Sequence, residues 1–320
     1  MKKLSWLAAL VSFAFTAVAV SAQDYPTAPI HLISGFPPGT TADISARVVS
    51  GKMGQILGQQ FVVENKGGAA SSIAAAYVAR APKDGYTLYI SSAANMINAA
   101  MTSNLTFDIM KDFAPIALIT STPTVLVVTP ELSVKNVKEL IALAKAKPGT
   151  ISFGSSGVGS STHLALELFK SLAHVDITHI PYTGSPQVVT DLLANRIQGY
   201  FSPASTVTGH VAAGKLVALA VTDAKRSTFM PELPTMIEAG VPGCVSVLWF
   251  GIAAPAGTPQ SIVDKLSRAA DEALKSDDVL KALHGQTVEA LGGSPQDFRQ
   301  YMEEEQKRWH TVVASAGLRK

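Results

Sequence analysis

Two stretches of this sequence combine glycines, hydroxyl residues and the start of a helical pattern, the combination by which neutral backbone groups can hold an anion. The first reads Gly35-Phe36-Pro37-Pro38-Gly39-Thr40-Thr41-Ala42-Asp43. Gly39 permits a tight turn, Thr40 or Thr41 can cap the helix that follows, and Asp43 stands three residues past Thr40 as in a capping box. Arg47, one turn further on, can pair with Asp43. A helix start carries partial positive charge and unpaired N–H donors, so a carboxylate or phosphate can bind there without a cationic side chain. Read alone, this turn is explained equally well as an ordinary capped strand-to-helix junction.

The second stretch is richer: Phe153-Gly154-Ser155-Ser156-Gly157-Val158-Gly159-Ser160-Ser161-Thr162-His163, leading into a helix with Leu164, Leu168 and Leu172 as its stripe. Glycines and hydroxyls crowd one helix start in the manner of an anion cradle. It does not fit a dinucleotide fingerprint, because Thr162 stands where the third glycine belongs and Asp176 precedes its strand. Nor does it fit a hydrolase elbow: no G-x-S-x-G aligns here, and Ser160 with His163 lacks an acidic orienter. The 7 histidines give no metal signature, with no H-E-x-x-H and no carboxylates in ligand spacing around His174 and His179. Glu303-Glu304-Glu305 reads as a solvated helix face. Cys244, the only cysteine, reads as a small buried hydrophobe and excludes an intramolecular disulfide.

The elements that must position these turns alternate in period. Strand-like runs at 30–34, 61–64 and 87–91 precede helical patterns at 42–57, 72–81 and 93–101. Ala42, Ala46, Val49, Met53 and Ile56 fall on one helix face suited to a sheet. The pattern restarts with strands at 125–128, 151–154, 177–180, near Tyr200 and at 216–221, separated by helices at 137–147, 162–173 and 186–195. A strand at 247–254 and helices at 259–276 and 295–316 then need a sheet to cover, which the first α/β unit supplies. Residues 23–120 with 245–320 are expected to form one domain and 121–244 the other. Two crossings, near 118–125 and 245–250, would form a hinge. Turns at Ser91-Ser92-Ala93 and Pro181-Tyr182-Thr183-Gly184-Ser185 join the first pair, since in a parallel sheet all lie at the carboxyl edge, where α/β proteins bind ligands. If the lobes face one another by those edges, the turns oppose each other across a cleft, which Phe36, Tyr182, Phe201 and Trp249 could wall and to which Ser202 would contribute.

Composition agrees with a folded, two-domain α/β chain. The 320 residues exceed one ordinary core of roughly 150 residues. Hydrophobic residues make up 47% and charged residues 16%, which excludes disorder, collagen and coiled coil as the dominant state. Lys2-Lys3, an apolar run to Val20 and the small residues Ser21-Ala22 read as a secretory leader over residues 1–22, cleaved after Ala22. Its loss takes two lysines from the 26 basic residues, which leaves them equal to the 24 acidic ones and disfavours nucleic acid or anionic lipid as partners. The expected product is a protein outside the cytoplasm, most simply in a bacterial periplasm.

The mature chain resembles the extracytoplasmic solute receptors of tripartite tricarboxylate transporters, the Bug-type binding proteins. The matching stretches are Phe36-Pro37-Pro38-Gly39-Thr40-Thr41-Ala42-Asp43, Glu64-Asn65-Lys66-Gly67-Gly68-Ala69, Pro82-Lys83-Asp84-Gly85-Tyr86-Thr87-Leu88, Gly154-Ser155-Ser156-Gly157-Val158-Gly159-Ser160 with His163-Leu164, Pro181-Tyr182-Thr183-Gly184 and Glu238-Ala239-Gly240-Val241-Pro242-Gly243. Their order and spacing run over most of the chain.

The resemblance implies a two-domain flytrap fold of the periplasmic-binding-protein type, each lobe a sheet flanked by helices. It implies a small organic mono- or dicarboxylate ligand gripped by backbone amides and hydroxyls, partly through ordered water. No catalysis, cofactor or metal is expected. The implied ligand-binding residues are Phe36, Pro38, Gly39, Thr40, Thr41 and Asp43 from one turn and Ser155, Ser156, Gly157, Gly159, Ser160, Thr162 and His163 from the other. Tyr182, Thr183 and Gly184 would line the distal pocket. The implied partners are the permease subunits of such a transporter, with a monomeric receptor as the default; a sensor that signals to a membrane kinase is the alternative. Two departures from the family pattern stand out: Thr40 replaces a glycine, and Ala69-Ala70-Ser71-Ser72 replaces a more glycine-rich stretch.

Overall fold

The computed structural model describes residues 25–315 and 317–319. The expected leader over residues 1–22 lies outside the described residues. Two sheets organise the chain. Strands β1 (Ile30–Ser34), β2 (Phe61–Asn65), β3 (Thr87–Ser92), β4 (Phe113–Thr122), β10 (Leu248–Pro255) and β11 (Glu289–Ala290) form a six-stranded sheet in the order β11-β4-β10-β3-β1-β2. Strands β5 (Thr124–Val128), β6 (Ser152–Ser155), β7 (Thr178–Pro181), β8 (Gly199–Pro203) and β9 (Val217–Val221) form a five-stranded sheet in the order β7-β6-β8-β5-β9.

Helix α1 (Thr41–Leu57) follows β1, α2 (Ser72–Ala79) follows β2 and α3 (Ala93–Met101) follows β3. Ala42, Ala46, Val49 and Met53 of α1 are buried, as their spacing predicts, and Gly58 closes the helix in the left-handed conformation (φ 70). In the second lobe α4 (Val137–Ala146), α5 (Ser161–Ala173), α6 (Ser185–Leu193) and α7 (Ala204–Ala212) connect the strands. Helices α8 (Gln260–Leu274), α9 (Asp277–His284) and α10 (Pro295–Ser315) return to the first sheet. Apolar residues of α1 and α8 pack on one face of that sheet in a single core, and α2, α3 and α10 pack on the other. The second core extends without a break into the other lobe, where Leu164, Phe169 and Phe201 join it.

The sequence pattern misses four elements, β4, α7, α9 and β11. β4 is apolar from Phe113 to Ile119 and carries no period that separates a buried strand from a loop flanking the crossing, while the first turn of α7 holds the polar Ser205 and Thr206.

Strand directions decide how the lobes meet. β1, β2 and β3 are parallel, and β3 and β4 both run antiparallel to β10, so all four share a carboxyl edge. In the other sheet β6, β7 and β8 are parallel and β5 is antiparallel to β8, with Thr124 opposite Pro203. The chain passes from the end of β4 to the start of β5 through Pro123 alone. That short crossing therefore turns the carboxyl edges of the two sheets toward each other. Thr222 stitches the return path: its amide donates to Thr124 O (2.8 Å), its hydroxyl to Ser246 O (2.5 Å), and the Ser246 amide to Thr222 O (3.0 Å).

Candidate functional site

The first turn is built around Asp43, a buried carboxylate one residue short of a helical turn into α1. It accepts hydrogen bonds from the Gly39 amide (2.9 Å), from Arg47 Nε (3.0 Å to Oδ1) and from Asn65 Nδ2 (2.9 Å), and Asn65 also donates to Phe36 O (2.8 Å). Burial opposes ionisation of Asp43, but Arg47, the Gly39 amide and Asn65 together hold its carboxyl below the usual range. The pairing with Arg47 follows the sequence reading; the cap does not. Thr40 Oγ1 donates to Pro37 O (2.8 Å), and no side chain caps α1. A helix start whose first-turn amides are left to other acceptors is a ready anion site. Phe36 packs edge-on against Phe250, with ring centroids 5.9 Å apart, while Pro38 and Gly39 are exposed.

Gly35, just before this turn, meets the short segment Ala69–Ser71. A Cβ at Gly35 would stand 1.8 Å from Ser71 Oγ, so only glycine allows the approach. Ala69, Ala70 and Ser71 all have positive φ (48, 50 and 71°), a left-handed run of three non-glycine residues. It is held by Ser71 Oγ bonded to Tyr89 Oη (2.7 Å), Asn95 Nδ2 donating to Tyr89 Oη (2.8 Å), and Asn98 Nδ2 donating to Ser72 Oγ (2.5 Å). This strained run replaces the glycine-rich stretch of the resemblance, and the Ala-Ala-Ser sequence carries no signal for it.

The second turn is a web of hydroxyls. Ser160 caps α5 by accepting from the His163 amide (3.2 Å) and donates to Gly157 O (2.7 Å). Thr162 Oγ1 accepts from the Ser156 amide (2.9 Å) and bonds Ser156 Oγ and Ser160 Oγ, both at 3.0 Å. Gly157 holds φ 129, a value that side chains rarely adopt. Ser155 Oγ bonds His179 Nε2 (2.6 Å), and the His179 ring stacks on His163 with centroids 4.1 Å apart. His163 Nδ1 accepts from the Gly159 amide (3.2 Å). Ser160 thus meets His163 through a helix cap, an arrangement that positions a backbone and does not activate a nucleophile. Burial lowers the His179 pKa against the opposing charge of Glu167.

Tyr182, Thr183 and Gly184 lie at the same edge. The Tyr182 amide donates to Ser155 O (2.9 Å), its hydroxyl to Asp191 (2.8 Å), and Thr183 Oγ1 to Gln187 (2.8 Å). Tyr200, which the sequence reading passes over as a site residue, shares a hydrogen bond between its hydroxyl and Ser185 Oγ (2.8 Å), and burial pushes its pKa up to about 12. The start of α7 completes the set: Ser202 Oγ bonds Thr206 Oγ1 (2.7 Å), and Thr41 Oγ1 of the opposite lobe lies 3.5 Å from Ser205 Oγ. The readable signal for α7 was Pro203-Ala204-Ser205-Thr206 directly after a strand. None of the segments 35–43, 155–163, 181–185 and 202–206 contains a lysine or arginine, so the donors that these segments supply are neutral.

Several expected residues stand elsewhere. Phe201 is fully buried between Phe153 and Phe169, because strand alternation sends its side chain to one buried face of the sheet and that of Tyr200 to the other, where the Tyr200 hydroxyl reaches Ser185. Trp249 is fully buried against Phe298 and Tyr301 and walls no cleft. Ser91 shares the Tyr89 side of β3 opposite Gly251, so it points beneath the helices of that face, and Ser92 forms the capping box of α3 with Asn95. Glu305 is not part of a solvated face. It is 1% exposed and accepts from Trp249 Nε1 (2.8 Å), Trp309 Nε1 (3.0 Å) and Arg308 (2.7 Å), because the helical period sets it with Phe298, Met302, Trp309 and Val312. Cys244 is buried as expected, which pushes its thiol up to about 12. No helix among the described residues is long and apolar enough to cross a membrane.

Known proteins share this architecture. The family model described as "Tripartite tricarboxylate transporter family receptor" matches residues 45–318. Protein BugT of Bordetella pertussis is 35% identical over 318 residues, covering 99% of this chain and 98% of its own. Among solved structures, Rpa4515 of R. palustris with adipate superposes with a TM-score of 0.83 at 38% identity, covering 92% of this chain and 99% of that one. The periplasmic binding protein BugD superposes with a TM-score of 0.82 at 30% identity, covering 92% and 100%. MatC from Rhodopseudomonas palustris with bound malate gives 0.81 at 29% identity, covering 90% and 100%. These matches are to two-lobed α/β binding proteins.

Proposed function

This chain belongs to the tripartite tricarboxylate transporter receptor family, solute-binding proteins and not enzymes, and from that premise we propose that it captures a small organic carboxylate between its lobes in the periplasm and delivers it to the membrane subunits of such a transporter. The observation that carries this reading is the meeting of neutral helix starts across the lobes, with Thr41 at the uncapped start of α1 close to Ser205 at the start of α7. The hydroxyl web at residues 155–162 borders the same edge.

Neutral donors suit a carboxylate that must be released again. Each charge-assisted hydrogen bond from an amide or hydroxyl contributes about 1.5–3 kcal/mol. A few of them with apolar burial reach the about 8 kcal/mol of a micromolar complex, without a buried arginine pair that would resist opening. The adipate and malate bound by two relatives support the ligand class. A ligand bridging both lobes favours the closed arrangement by its differential affinity, and that difference is what a membrane partner can read. The expected residues Thr40, Thr41, Ser155, Ser156, Gly157, Gly159, Ser160 and Thr162 would supply the grip, with Tyr182, Thr183 and Gly184 toward the distal end.

The test is isothermal titration of the mature protein, denatured and refolded to strip carried ligand, against adipate, malate and a panel of aliphatic and aromatic mono- and diacids. At least one acid is expected to bind with a micromolar dissociation constant. Correctly refolded protein that binds none of a broad panel would overturn the reading.

A further inference from the structure

Beyond the cleft, the least reconciled group in the described structure is Asp223, which follows Thr222 where the second lobe meets the crossing. Its Oδ2 is buried and finds no hydrogen-bond partner among the described residues, a rare condition for a carboxylate oxygen. The charge nearest in effect is another carboxylate, Glu289 of β11, at the edge of the first lobe's sheet. From α10 it faces Tyr301, around which Glu304, Glu305 and Arg308 gather, and Arg308 is bonded to Glu305. Within its own segment Lys225 is exposed and Arg226 is engaged by Glu238. His284 at the end of α9 packs on Phe229 of the same loop, with ring centroids 5.2 Å apart. Thr228 Oγ1 donates to Glu289 Oε1 (2.7 Å), so the segment after Asp223 is tied to the carboxylate that repels it.

We propose that Asp223 is a proton-operated latch between the lobes: protonated, it permits its segment to stay against β11 through the Thr228–Glu289 hydrogen bond; ionised, it drives the segment around residues 223–228 away from β11 and turns the hinge at Thr222. The chemistry is that of a carboxylate with one buried, unpartnered oxygen at a junction where the opposite lobe presents another carboxylate, so that a proton removes the repulsion and supplies a donor. Burial, reinforced by Glu289, pushes the Asp223 carboxyl up to about 7. A raised carboxyl favours the folded arrangement fully below the ordinary carboxylate range, and that contribution is lost as pH rises toward about 7. Thr222 is the natural pivot, since its four backbone and hydroxyl contacts, two to Thr124 and two to Ser246, join the second lobe to both crossings. Ligand capture then inherits a pH dependence. That consequence rests on the carboxylate-receptor reading; the latch itself does not.

The test uses ligand-free mature protein, so it stands apart from the identity of any ligand. Small-angle scattering and tryptophan emission are followed from pH 5.5 to 8.5. Trp249 packs against Tyr301, which makes its emission a local reporter. The wild type is expected to expand as pH rises, with both signals sharing a midpoint near 7. Asp223→Asn is expected to keep the compact low-pH form throughout. Glu289→Gln, altered at a partly exposed site, is expected to fold normally and move the midpoint down by about one pH unit, as the loss of one nearby like charge requires. A wild type with no transition, or a midpoint unmoved in Glu289→Gln, would overturn the proposal. So would a carboxyl ¹³C titration placing Asp223 in the ordinary aspartate range.

Discussion

Thr41 Oγ1 lies 3.5 Å from Ser205 Oγ, although 164 positions separate the two residues and each opens a helix in a different lobe. The contact exists because β4 runs into β5 across a single proline, so that the strands ending near residues 34 and 203 terminate against each other. A ligand bound at this junction, as proposed, would touch both lobes. Thr41→Val keeps the shape and removes the hydroxyl. It is expected to leave thermal stability nearly unchanged and to weaken the best-binding carboxylate by about tenfold, the equivalent of one hydrogen bond of about 1.4 kcal/mol. Calorimetric titration beside a thermal melt separates the two effects.

Ser160 does two jobs in the second turn, capping α5 and closing the turn onto Gly157. Ser160→Ala is expected to lower stability by about 1 kcal/mol, the usual value of a lost cap, and to weaken ligand binding as the turn loosens. Urea unfolding gives the first quantity. Binding that stays at wild-type strength would remove this turn from the ligand site.

The left-handed run at Ala69 and Ala70 is a cost the sequence carries in this region. Ala70→Gly is expected to stabilise the fold by up to about 1 kcal/mol by relieving the strain at φ 50, less the entropy that glycine adds to the unfolded chain. A rise in melting temperature on that substitution is the measurement. A fall would mean that neighbouring contacts, not backbone conformation, set the balance at this segment.

His179 binds its proton less readily in the folded protein than in the unfolded chain, because burial disfavours the imidazolium. Stability from this source is complete above the ordinary imidazole range and is lost as pH falls through it. His179→Gln, whose amide can still bond Ser155, is expected to flatten the acid side of the stability profile between about pH 7 and 5. Melting curves for both proteins over that interval test the sign.

Glu305 satisfies two buried indole N–H groups at once. Glu305→Leu strands both donors and leaves Arg308 without its partner, so a loss of about 3 kcal/mol is expected, while Glu305→Gln, which retains an acceptor, loses less. Chemical unfolding of the pair ranks them.

Local pattern was sufficient for the α/β alternation, for the bounds of β1 and α3, and for the two glycine and hydroxyl turns, because period, capping residues and glycine report on backbone within a few positions. The Asp43–Arg47 pair was legible for the same reason, lying one helical turn apart. Direction and register were not. Whether Phe201 or Tyr200 reaches the turns depends on which helices cover each face of the β5–β8 pair, both faces being buried, and whether Glu305 is solvated depends on the indoles that α10 meets in three dimensions. The partners of Thr41, the left-handed turn beneath Gly35 and the unpartnered oxygen of Asp223 all arise where distant segments converge. Burial and like-charge proximity are properties of that convergence, so only the tertiary structure could decide them.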